Sequence, residues 1–130
     1  MIPVPALTDR VEYAYAATVE PSTRLVFTAG ACPLDAEGRT VAPGDHAAQA
    51  RQVLANLETA LAAAGAGLAD VVKTTVYVAS AERADLVTVW QVVRDAFGDH
   101  EPPSTLLGVA VLGYPDQLVE VEAVAAVRNG

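Results

Sequence analysis

The spacing of apolar residues changes twice in the middle of this chain, and that alternation restricts the possible folds more than any other feature. Ala47, Ala50, Leu54, Leu57 and Leu61 recur at three- and four-residue steps, which makes one apolar face of a helix. Asp45 stands where an N-cap is needed, and Gly65 follows the last periodic residue, as at a helix C-terminus. The same step returns at Leu86, Val89, Trp90, Val93 and Phe97, until "GDHEPPS" stops it. Between the two lies "DVVKTTVYVAS". This β-branched run predicts a strand with Val72, Thr74, Val76 and Val78 on one face and Lys73, Thr75 and Tyr77 on the other.

The flanks extend the pattern. "RLVFTAGACPLDAEGRTV" is a β-prone run broken at Pro33 and turned over residues 35–38, a strand entering a hairpin. "STLLGVAVL" and "QLVEVEAVAAV" predict two more strands, separated by the turn-forming residues 113–116. In the last strand Leu118, Glu120, Glu122 and Val124 share one side while Val119, Val121 and Ala123 share the other. The order predicts an α+β domain in which two helices cover one face of a mixed sheet. At 130 residues the chain fits one domain, spanning 1–130. Its 52% apolar content, much of it Ala and Val, exceeds the needs of one small core and predicts a subunit interface on the uncovered sheet face.

Charge limits the partners. Eight Lys plus Arg against sixteen Asp plus Glu give a net charge of −8, a field that repels phosphate backbones and anionic lipid. No basic run is interleaved with aromatic residues, so no nucleic-acid partner is expected. Cys32 is the only cysteine, which rules out an internal disulfide and makes the cytoplasm the default location. The start "MIPVPALTDR" lacks the pattern of a leader, and no long uncharged apolar run is present, so no membrane association is expected.

Few residues suggest chemistry by themselves. Glu120 and Glu122 fit either a water-activating carboxylate or a solvated strand face. For Cys32, packing is preferred over nucleophilic catalysis, because no His-bearing signature accompanies it. His46 and His100 have no metal-ligand spacing, so no metal is expected. Ser104 and Thr105 could donate to a neutral ligand or cap a strand entry. "EYAYAA" could wall a cleft through Tyr13 or form an edge strand with Tyr13 and Tyr15 on one side. No phosphate-binding glycine motif or hydrolase elbow occurs.

Together, Gly30 followed by Pro33-Leu34-Asp35, then Gly44-Asp45, Gln49, Arg51-Gln52-Val53-Leu54, Asn56-Leu57, Val72-Lys73-Thr74-Thr75-Val76 and Val119-Glu120-Val121-Glu122-Ala123 resemble the RidA family, also called YjgF. The resemblance runs from about Tyr13 to Val127. It implies a chorismate-mutase-like fold, a homotrimer with clefts between subunits, and cofactor-free hydrolysis of reactive enamines and imines to keto acids and ammonia. It implies that Tyr13 lines the cleft and that Glu120 positions the attacking water. Backbone groups near Thr105 and Leu106 would polarise the reacting centre. The family's "PARS" falls on "PPST" here, so the arginine that grips a substrate carboxylate is replaced by Ser104. Ala29-Gly30-Ala31 stands where Ser-Gly-Gln is common, and Trp90 stands for an Asn, either narrowing the site or filling the core. A serine offers one neutral donor where guanidinium offers two charge-assisted bonds. The reading is therefore a deaminase-like hydrolase of a small imine, enamine or related metabolite other than 2-aminoacrylate. The alternative is a non-catalytic trimer that binds a ligand or partner. Nuclease activity, attached to some members of this family, is disfavoured by the acidic balance.

Overall fold

The computed structural model describes residues 1–129; Gly130, included in the single-domain reading, lies outside the described residues. The chain runs β1 (Thr23–Phe27), α1 (His46–Ala63), a single 3-10 turn (Leu68–Asp70), β2 (Val71–Ala79), α2 (Arg83–Phe97), β3 (Ser104–Val109) and β4 (Val119–Arg128). One sheet holds the four strands in the order β1-β4-β2-β3. β4 pairs antiparallel with both β1 and β2, while β2 and β3 are parallel. The helix between β2 and β3 supplies the long crossover that a parallel pair requires. The mixed sheet with two helices agrees with the α+β expectation.

Helix α1 begins where Asp45 Oδ1 accepts from Ala48 N at 3.0 Å, which satisfies one orphan donor of the first turn. It ends at Gly65, whose φ of +78° is a conformation that glycine adopts without a Cβ penalty. Ala50, Val53, Leu54, Leu57 and Leu61 pack against Val76, Val78, Val119, Val121, Ala123 and Ala125 of the sheet, joined by Val89, Val93 and Phe97 of α2. Gln49 is fully buried among them. Its Nε2 donates to Asp116 O at 2.9 Å and to Ala42 O at 3.3 Å, and its Oε1 accepts from Leu118 N at 2.8 Å. A buried amide so satisfied is a clamp, and this one ties α1 to the loop that delivers β4.

Two local expectations differ from the structure. The register shifts between Val71 and Lys73, so Val71 enters the core and Val72 is only half-buried. One extra residue in the bulge breaks the strict alternation read from the sequence. The segment around Tyr13 is not an edge strand. It is held by Ala14 N donating to Glu101 O at 2.9 Å and by edge-on packing of Tyr13 against Trp90. Isolated backbone bonds, here and from Ile2 N to Ala16 O at 3.0 Å, and the aromatic contact take the place of a ladder.

The sheet face away from the helices carries Leu25, Phe27, Lys73, Thr75, Tyr77, Thr105, Leu107, Glu120 and Glu122, as the pairing registers require. Phe27 is 72% exposed there, with Leu25 and Leu107 also open. No helix among the described residues is long and apolar enough to cross a membrane. Since Leu57 is fully buried, Leu57→Ala is expected to lower the unfolding free energy by about 2–5 kcal/mol. Urea denaturation checks this, and an unchanged midpoint would contradict the packing described.

Candidate functional site

Strand β4 is central in the sheet, and its alternation turns Val119 and Val121 into the core and Glu120 and Glu122 onto the open face. The chain after β1 returns alongside it: Ala31 N donates to Val121 O at 2.7 Å and Val121 N donates back to Ala31 O at 3.2 Å. This bridge sets Gly30 and Cys32 on either side of Glu120. A Cβ on residue 30 would lie 2.6 Å from Glu120 Cδ and would overlap Oε2. The carboxylate occupies the space that a side chain at position 30 would need, which gives Gly30 a packing reason rather than a conformational one.

Glu120 Oε1 accepts two bonds, from Gln117 Nε2 at 3.1 Å and from the Cys32 thiol at 3.4 Å. Burial, followed by the hydrogen bond to Glu120 and its charge, pushes the Cys32 thiol up from an ordinary 9.0 to about 11. Cys32 is therefore a protonated donor at neutral pH, not a nucleophile. The second carboxylate, Glu122, accepts from Tyr77 Oη at 2.7 Å. That bond, followed by burial and the charge of Glu122, raises the Tyr77 phenol above its usual range.

A second feature lies beyond β3. Tyr13, Trp90, Ser104, Thr105 and Leu106 together line an open cleft of about 390 Å³. Trp90 Nε1 donates to Glu12 Oε1 at 3.3 Å, and its ring meets Tyr13 edge-on at 6.3 Å between centroids. Ser104 Oγ donates to Pro102 O at 3.0 Å and meets Thr74 Oγ1 at 2.6 Å, so its only proton is committed inside the fold. Thr105 pairs with Thr75, which also pairs with Glu122, and therefore lies on the open face, where Lys73 Nζ donates to its hydroxyl at 2.9 Å. A larger hollow of about 590 Å³ is lined only by residues of the first fifteen, with Asp9 its single charged group.

The structure thus groups five of the six residues singled out in the sequence and leaves Glu120 apart. Glu120 pairs with Tyr77, and Tyr77 with Leu107, so β2 intervenes and Glu120 lies two strand spacings, roughly 10 Å, from β3. Gln117, which holds the carboxylate, had no signal in the sequence beyond its place at the head of the last predicted strand, which begins two residues later, at Val119. His46 stands 3.9 Å from Asp85 Oδ2, and His100 Nε2 meets Val71 O at 2.7 Å. Among the described residues no three His, Cys, Asp or Glu side chains converge as a metal site would require.

The chain is thus an α+β sheet with a carboxylate packed against a glycine on its open face and a separate aromatic cleft at one sheet edge. The family model described as Endoribonuclease L-PSP matches residues 7–127, and the chain belongs to this family, the one that includes RidA and YjgF. A RutC family protein of Pyrococcus horikoshii is 37% identical over 100 residues, covering 77% of each chain. The 2-iminobutanoate/2-iminopropanoate deaminase of Escherichia coli is 36% identical over 107 residues, covering 80% of each. The crystal structure of the Rid family protein YyfB from Yersinia pestis superposes with a TM-score of 0.82 at 33% identity, covering 89% of this chain and 87% of that one.

The Cys32 environment can be tested directly. At pH 8, a rise from 9.0 to about 11 leaves about a hundredfold less thiolate than an unperturbed thiol carries. Iodoacetamide is expected to label native protein more slowly than a free thiol, by about tenfold once the greater nucleophilicity of a more basic thiolate is set against its scarcity, and Glu120→Gln to speed labelling only in part, because burial is the larger cause. Labelling of the native protein at the rate of a free thiol would contradict the geometry.

Proposed function

We propose that this protein hydrolyses a small reactive imine or enamine, releasing ammonia, at clefts between the subunits of a cytoplasmic homotrimer, and that its preferred substrate is not 2-aminoacrylate. The observation that carries the reading is Glu120: a carboxylate on the open sheet face, fixed through one oxygen, with the other lying against a residue that has no side chain. In the reaction Glu120 accepts a proton from water as the water oxygen bonds to the carbon of the imine, already protonated on nitrogen from solvent, giving a carbinolamine. Glu120 returns that proton to the nitrogen, the C–N bond breaks with its electron pair leaving as ammonia, and the hydroxyl proton passes to the Glu120 carboxylate and back to solvent as the carbonyl forms. An enamine enters the same route after protonation at carbon. In this reading Tyr13 and Trp90 wall the cleft, and backbone groups beside Thr105 and Leu106 polarise the reacting centre.

The same geometry supports assembly of several chains, which this reading takes to be a trimer. Glu120 and the aromatic cleft do not meet in one chain, while Leu25, Phe27 and Leu107 leave the open face apolar. A neighbouring copy laid on that face would bury those side chains and bring its cleft over Glu120. Support for the substrate departure comes from Ser104, whose hydroxyl is already bonded, and from the absence of any Arg among the residues lining the cleft. The same absence favours the second reading, a non-catalytic trimer that binds a ligand or partner. A nuclease role, suggested by the family's description, is opposed by the net charge of −8.

Ammonia release from a panel of freshly generated imines tests the proposal. The native protein is expected to turn over larger or uncharged imines, and Glu120→Gln to lose about 100-fold or more in kcat. Thr105→Arg, on the open face, is expected to raise kcat/KM for 2-aminoacrylate by at least about tenfold, with Ser104→Arg as the comparison at the aligned position. Native turnover of 2-aminoacrylate equal to that of the Escherichia coli relative would contradict the missing-grip argument. Ligand-induced stabilisation without turnover of any imine would support the non-catalytic reading. In light scattering at micromolar concentration the expected mass is that of three chains, and a monomer would contradict the shared cleft.

A further inference from the structure

The two oxygens of Glu120 have different surroundings, and the difference is built by side chains that the family resemblance does not assign. Gln117 is 4% exposed. Its Nε2 donates one proton to Val119 O at 3.1 Å and the other to Glu120 Oε1 at 3.1 Å, while its Oε1 accepts from Tyr114 N at 3.1 Å. Every polar bond the amide can readily make is therefore engaged, and it cannot rotate without leaving a buried group unpaired. The backbone on each side of it is held by Gln49, through Asp116 O and Leu118 N. From the opposite side the Cys32 thiol donates to the same Oε1. The Cys32 loop is pinned in turn, since Asn56 Nδ2 donates to Cys32 O at 2.8 Å and Leu34 O at 3.0 Å. Oε2 has no hydrogen-bond partner among the described residues and faces the bare Cα of Gly30.

We propose that Gln117 and Cys32 are positioning residues: they fix Oε1 of Glu120 and thereby leave Oε2, against Gly30, as the single atom that holds the attacking water and takes its proton. The inference rests on the proposed function of Glu120 and adds which oxygen acts and what aims it. A carboxylate with two donors on one oxygen cannot swing about its last torsion without giving up both, so its other oxygen is held in one direction. Both donors keep their protons at neutral pH, Gln117 because an amide does not titrate and Cys32 because burial and the nearby carboxylate disfavour the thiolate. Orientation of this kind acts on the chemical step and not on substrate binding.

The test uses the full-length protein and ammonia release from freshly generated butan-2-imine, an imine without a carboxylate, at millimolar concentration. Gln117→Leu keeps the volume and removes the donor. It is expected to lower kcat by about tenfold or more with KM changed less than about threefold, and a crystal structure of the variant is expected to show the Glu120 carboxylate turned away from its native direction. Cys32→Ser, which retains a donor, is expected to keep most of the native kcat, while Cys32→Ala loses several-fold. A folded Gln117→Leu with native kcat and an unmoved carboxylate overturns the inference even where Glu120→Gln is inactive. Should Gln117→Leu fail to fold, equal kcat for Cys32→Ser and Cys32→Ala overturns the Cys32 half. Native kcat in Glu120→Gln overturns the reading of Glu120 itself.

Discussion

The contact on which the rest depends is the one between the Glu120 carboxylate and residue 30. Two short backbone bonds between Ala31 and Val121 draw the chain across β4, and only a residue without a Cβ leaves room there for a carboxylate. The position of Glu120 is inherited from the core: Val119 and Val121, its neighbours in sequence, are fully buried under α1. Strand alternation then forces Glu120 to the other face. The energetic weight lies in the apolar layer between sheet and helices, and the chemistry is placed by that layer's register.

Much of this was legible because it depends on period and punctuation. The helices at His46–Ala63 and Arg83–Phe97 follow from three- and four-residue steps, the Asp45 cap and the Gly65 stop. The faces of β4 follow from its uninterrupted alternation. The bulge at residues 71–73 was not legible, because an inserted residue leaves the composition of a β-branched run unchanged while it moves Val71 inward. The segment at Tyr13 misled for a related reason. An alternating aromatic pattern describes a strand and a strip packed against Trp90 equally well.

The residues of the candidate cleft were legible, and their arrangement relative to Glu120 was not. Tyr13, Trp90, Ser104, Thr105 and Leu106 do line one cleft, but the strand order β1-β4-β2-β3 inserts β2 between that cleft and Glu120, and strand order is not a property of any local pattern. Parity within β3 was hidden as well. Ser104 turns to the buried Thr74 hydroxyl, and Thr105 turns to the open face beside Lys73. Gln117 is a long-range observation of the same kind, since its value lies in what it touches.

Membership of the RidA family and an α+β sheet with an open face leave one central claim, that Glu120 of one subunit works on a substrate held in the cleft of another. Mixed trimers test it most directly. Glu120→Gln and a cleft-blocking Thr105→Trp, each inactive alone, are unfolded together and refolded at equal ratio. A shared site predicts recovery of about a quarter of the native ammonia release, because hybrids then contain clefts built from one intact half of each chain. No recovery, in trimers shown by mass to contain both chains, would mean that each site is completed within a single subunit and would contradict the account.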